Sequence, residues 1–189
     1  MNFFYLLIAV TATMMCGCSK FATRHIPAVK NFDLKRYCGN WYEIARLPNW
    51  FERDMTDVSA NYTLLQNEMV KVRNRGIRNG KVSTIDGKAR FVKSSDCGEL
   101  EVSFQWPFWG AYRVITLDKD YSTAVVCGES KNYLWILSRK PELPETELTK
   151  IIEFLRHCDF DISKLEYSQK VPAQITGHTS KPTASYSTE

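Results

Sequence analysis

Eight short runs in which apolar and polar residues alternate constrain this chain more than any other feature of it. They span 39–46, 58–65, 69–77, 82–92, 100–105, 112–117, 123–128 and 133–139. Successive side chains of a strand point to opposite faces, so each run reads as a strand with one face toward a core. Asn79-Gly80 is a strong hairpin signal, and Ser94 to Gly98 marks a further turn. Short strands at such regular spacing predict an all-β protein, either an antiparallel up-and-down barrel or a sandwich.

The first run shows what alternation implies. Trp41, Glu43 and Ala45 share one face, and Tyr42, Ile44 and Arg46 share the other. Gly39 before the Trp suits a close approach of backbone to backbone. In 69–77, Val70 and Val72 oppose Lys71, Arg73 and Arg75. In 82–92, Ile85, Gly87, Ala89 and Phe91 oppose Lys88 and Arg90, and small Gly and Ala on the inner face leave space for a ligand. One helix is expected after these strands. Pro144, Glu145 and Glu147 suit its first turn, and Leu148, Ile151, Ile152 and Leu155 form one apolar stripe for packing on the sheet. A short last strand falls within 162–167. Residues 169–189, rich in Ser, Thr, Pro and Lys, read as a disordered polar tail with no assigned role.

At the other end, Phe3 to Met15 is apolar but shorter than the roughly 20 residues that span a bilayer. It reads as the core of a signal peptide over 1–17. Met15-Cys16-Gly17-Cys18-Ser19 resembles a lipobox, with Cys18 as the lipidated residue after cleavage. Two or more acyl chains give stable anchoring where one does not, so the protein is tethered to a membrane and does not span it. Ser19 after the lipid-bearing Cys sends such a protein to the bacterial outer membrane, facing the periplasm. Residues 18–31, with Pro27 and no periodicity, read as a spacer.

Residues 32–168 suffice for one domain with a sizeable core. The net charge of +4 is modest and its basic residues are scattered, so no nucleic-acid footprint emerges. Cys38, Cys97, Cys127 and Cys158 lack zinc-site spacing. An exported protein can keep disulfides, four Cys allow three pairings, and a buried free thiol is the simplest reading of Cys127.

Three motifs, in order, resemble the signature regions of the lipocalin family: Asn31 to Tyr37 with Gly39-Asn40-Trp41, then Leu117-Asp118-x-x-Tyr121-x-x-Ala124, then Trp135 to Arg139. The resemblance runs from about Phe32 to about Tyr167. It implies an eight-stranded antiparallel up-and-down β-barrel with one C-terminal α-helix packed on it. It also implies that 32–37 plugs the closed end, where Arg139 lies over Trp41 as a structural base.

From that placement, alternation carries Tyr133, Trp135 and Leu137 inward, and Glu43 with them. Tyr112 is assigned to the same ligand-binding lining. Loops at 48–52, 79–80, 106–110 and 130–132 fall at the opposite, open end, so Trp50, Phe51, Trp106, Phe108 and Trp109 ring the mouth, and Trp106, Phe108 and Trp109 are expected to bind ligand there. Exposed aromatics are costly unless they meet a ligand, a membrane or a partner; packing on one another as a lid is the plainer alternative. The function implied is binding of an amphiphilic acyl lipid, a fatty acid or lysophospholipid, for storage, transport or scavenging of membrane-derived lipids. No cofactor and no metal site is expected. A rim that binds another protein or a second copy, as a homodimer, is the alternative. A barrel-thiol enzyme using Cys127 ranks lower, since His25, His157 and His178 all lie far from it in sequence.

Overall fold

In this computed structural model, which describes residues 23–168, every alternating run forms a strand. In order these are β1 (Gly39–Arg46), β2 (Met55–Leu64), β3 (Val70–Arg78), β4 (Lys81–Phe91), β5 (Glu99–Gln105), β6 (Phe108–Leu117), β7 (Thr123–Cys127) and β8 (Leu134–Ser138). Neighbours pair antiparallel, and β1 pairs with both β8 and β2, which closes the sheet on itself. Closure leaves no free edge, and eight strands enclose an interior wide enough for packed side chains or one small ligand. A short β9 (Glu166–Tyr167) adds to the upper half of β1. β6 begins at Phe108, so 108–110 belongs to a strand and not to the loop expected over 106–110. The signal segment 1–17, Cys18 and the tail 169–189 lie outside the described residues.

Two cores share the barrel wall. Inside, Trp41, Val70, Val72, Leu100, Val126 and Leu137 pack together. Outside, Ile44, Val125, Cys127, Leu134 and Ile136 meet Leu148, Ile152 and Leu155 of α2 (Glu145–His157). β7 and β8 are thus covered on both faces, which explains their continuous apolar runs. Each fully buried Leu or Ile of the helix contributes roughly 2 kcal/mol of apolar burial, and Glu145, Glu147, Arg156 and His157 sit at the ends that the helix dipole favours.

A bulge alters β1. Register against β8 shifts between Glu43 and Ala45, so Ala45 does not share a face with Trp41 and Glu43 as alternation predicts. It joins Ile44 and Leu47 in the outer core, while Arg46 turns to the side of Glu43. A second departure concerns β4. Ile85 is 49 % exposed, because β4 pairs with β5 only from Lys88 to Phe91. Nor does Gly87 leave ligand space: a Cβ there would stand 2.6 Å from the Phe104 ring and 2.7 Å from the Ser103 carbonyl, so the glycine permits close strand approach.

The spacer expected over 18–31 is, from Thr23 onward, part of the fold. Thr23 and Ile26 are buried, and Thr23 Oγ1 donates to the Gly128 carbonyl at 2.6 Å. Arg113 holds this segment by donating to the carbonyls of Thr23 and Ile26. Val29 accepts from Gly98 and donates to the Val114 carbonyl, both at 2.9 Å.

At the closed end Asp33 caps α1 (Leu34–Tyr37), accepting from the backbone of Lys35 and Arg36. Arg139 places its guanidinium 3.9 Å from the Trp41 ring centroid. It also donates to the carbonyls of Arg36, Tyr37, Cys38 and Asn40 at 2.7 to 3.0 Å and to that of Tyr121 at 3.1 Å. Tyr121 accepts from the Asp33 backbone and lies under Arg36. Asp118 is partly buried, which alone would raise its pKa, yet the Thr123 and Ser122 donors hold the carboxyl below its usual range. All three sequence motifs therefore meet at the base, fixing the barrel floor.

Candidate functional site

Above that floor the barrel encloses a cavity of about 580 Å³, within the ~300–1,000 Å³ common for small-molecule sites. Val58, Val72, Val102, Phe104, Val126 and Leu137 give it apolar walls. Of the residues expected to bind ligand, Glu43, Tyr112, Tyr133, Trp135 and Leu137 line it. Trp106, Phe108 and Trp109 do not. Trp106 is 81 % and Phe108 70 % exposed near the β5–β6 turn, and Trp109 turns outward beneath Arg90, 4.2 Å from its ring centroid. Strand parity explains the last: Trp109 alternates with Gly110, which faces the cavity.

The four expected loops do lie at one end, since the strands alternate in direction. Only part of the aromatic ring forms there. Phe51 stacks on Tyr133 with centroids 6.3 Å apart and 15° between planes, and Tyr133 stacks in turn on Trp135 at 6.3 Å. Trp50 meets the edge of Phe51 and is otherwise 77 % exposed.

Polar groups mark two levels. Near the mouth Arg46 donates to Glu43 Oε1 at 2.5 Å and reaches Glu166 at 2.8 Å. Glu52 accepts from Trp135 Nε1 at 2.9 Å and from Asn49 at 2.6 Å. Burial pushes the Glu43 carboxyl up to about 7, and the nearby Glu52 charge adds to this while Arg46 opposes it. Toward the floor the hydroxyls of Tyr37, Tyr112 and Tyr62 form a chain, 2.6 Å and 2.9 Å apart. Burial raises all three phenols, Tyr62 to about 12, so they stay neutral hydrogen-bonding groups.

Asn74 and Tyr62 are lining residues that alternation could have supplied, since they continue the inner faces of Val70-Val72 and Val58-Ala60. Glu52, Glu129 and Ser130 come from loops, where no periodicity reports direction. Cys38, Cys97, Cys127 and Cys158 are free thiols. Cys127 lies in the outer core beneath α2 and not in the barrel interior, and burial pushes its thiol up to about 11, contrary to what a nucleophile needs. Among the described residues no cluster of His, Cys, Asp and Glu is placed to hold a metal ion, and no helix is long and apolar enough to cross a membrane.

The arrangement agrees with what the chain is similar to. A family model described as a lipocalin-like domain matches residues 32–170. The outer membrane lipoprotein Blc of Escherichia coli K12 is 39% identical over 165 residues, covering 86% of this chain and 93% of that protein. The Blc lipoprotein of Vibrio cholerae is 38% identical over 168 residues, covering 87% and 98%. Apolipoprotein D of Rattus norvegicus is 33% identical over 151 residues, covering 74% and 77%. Among solved structures, insecticyanin from the tobacco hornworm Manduca sexta superposes with a TM-score of 0.63 at 21% identity, over 78% of this chain and 86% of that one. With a closed barrel, an apolar cavity and a family match across most of its length, the chain belongs to the lipocalin family.

Proposed function

We propose that this lipocalin binds an amphiphilic acyl lipid, a fatty acid or lysophospholipid, with its chain in the barrel and its polar end at the mouth. The observation that carries this reading is the cavity itself: apolar walls, one open end and enough volume for a small amphiphile. Burying a methylene contributes about 0.8 kcal/mol, so an acyl chain binds without a dedicated polar contact. Likeness to proteins named outer membrane lipoproteins supports a lipid anchor at Cys18 in the bacterial outer membrane, on the periplasmic side. Storage, transport or scavenging of membrane-derived lipids follows as the role. The test is native mass spectrometry with lipid extraction on the purified protein. A co-purifying acyl lipid supports the reading, and an empty barrel that takes up neither palmitate nor lysophosphatidylcholine removes it.

A second reading rests on Trp50, Trp106 and Phe108, each at least 70 % exposed at the mouth end. Such a rim suits contact with a second copy of the chain. Sedimentation that depends on concentration, and loses that dependence with Trp106→Ser and Phe108→Ser together, supports it; a monomer at every concentration removes it.

A further inference from the structure

The charged residues lining the cavity all have one sign. Glu43, Glu52 and Glu129 contribute carboxylates, and no Lys or Arg of the described residues lines it. Glu129 is paired with Arg24 at 2.8 Å, but Arg46 alone serves Glu43 and Glu166 with Glu52 close by, so the Glu43–Glu52 side of the cavity keeps an excess of carboxylates. Two acceptors also lack donors. Glu43 is 4 % exposed, its Oε1 takes the Arg46 bond, and no described residue donates to Oε2. Asn74, across the cavity on β3, buries Oδ1 without a partner. A buried acceptor left unpaired, as Asn74 Oδ1 is, is costly, and Glu43 lines the cavity beside it, so this wall is complementary to a ligand that donates.

We propose that the cavity selects amphiphiles whose polar end carries an ammonium group, with Glu43 Oε2 and Asn74 Oδ1 as its acceptors, and discriminates against those ending in a free carboxylate. This narrows the lipid-binding reading and rests on it. An ammonium offers three N–H donors and a positive charge to a wall that has acceptors and negative charge to spare. A ligand carboxylate brings a like charge and no donor.

The test compares dodecylammonium, dodecanol and dodecanoate, which share one chain and differ only at the polar end. Affinities are read by titration calorimetry at low salt and about pH 8, above the Glu43 value of about 7, so that its carboxylate is ionised. Expected is tighter binding of dodecylammonium than dodecanoate by at least about tenfold, with dodecanol between. Glu43→Gln should shrink that ratio several-fold, and Asn74→Val, which leaves the Arg46 pair untouched, should shrink it in the same direction. Dodecanoate binding as tightly as dodecylammonium overturns the proposal and leaves lipid binding standing. A ratio unmoved by either folded variant overturns it too. If none of the three binds, the lipid-binding reading falls as well.

Discussion

Arg46 Nη1 lies 2.5 Å from Glu43 Oε1, although strict alternation would set residues three apart on opposite faces of β1. The bulge between Glu43 and Ala45 brings them together and keeps both buried. Because Glu43 titrates near 7 in the folded chain against 4.5 ordinarily, the folded state holds this proton more tightly than the unfolded one. Its contribution to stability is therefore complete below about pH 4.5 and is lost as pH rises through about 7. The expected loss across that window is about 3 kcal/mol. Urea unfolding at several pH values, on the wild type and on Glu43→Gln, checks this: the difference between them should shrink or reverse across the window, and parallel curves would refute it.

Arg139 joins three elements at the base, donating to α1, β1 and the β6–β7 turn at once. Its planar fork serves several carbonyls while its face covers Trp41, which a Lys ammonium cannot reproduce. Arg139→Ala should cost about 3 kcal/mol and Arg139→Lys somewhat more than half of that. Chemical denaturation reads both; a Lys variant as stable as the wild type would show that charge alone suffices.

Gly39 and Gly80 both adopt positive φ, at 102° and 71°. Only Gly39 is also crowded: a Cβ there would stand 3.2 Å from Arg139 Nη1, whereas nothing lies within 4 Å of one at Gly80. Gly80→Ala should cost about 1 kcal/mol of backbone strain, and Gly39→Ala about 2 kcal/mol because the guanidinium must also move. Equal losses in thermal or urea unfolding would mean that strain alone matters at Gly39.

These differences show what alternation can and cannot report. It places Val72 and Trp135 inward correctly, because a side-chain period of two survives wherever pairing is regular. It fails at Ala45 and Arg46, since one inserted residue inverts every later position and a bulge leaves no composition signal. The base was legible because Trp41 and Arg139 belong to motifs of unusual residues. Glu52 was not, because its direction depends on the Asn49 and Trp135 bonds that fix a loop. Thr23 and Ile26 went unseen for a similar reason: what holds them is Arg113, distant in sequence, and not any periodicity of their own.

Ala60 lines the cavity from β2, opposite Trp41 in the ladder, between the larger Val58 and Tyr62 of the same strand. Ala60→Trp would fill the lower part of the space that an acyl chain needs. Overpacking costs typically about 1–3 kcal/mol, which a closed barrel with two cores should tolerate. The expected outcome is a folded protein, recognised by an unchanged far-ultraviolet spectrum and a modestly lower melting temperature, whose affinity for dodecyl amphiphiles falls at least about tenfold. The reason is geometric: the apolar driving force requires chain methylenes to leave water, and a filled barrel offers them no place to go. Retained affinity in a folded Ala60→Trp variant would move the ligand out of the barrel, toward the exposed Trp106 and Phe108 at the rim.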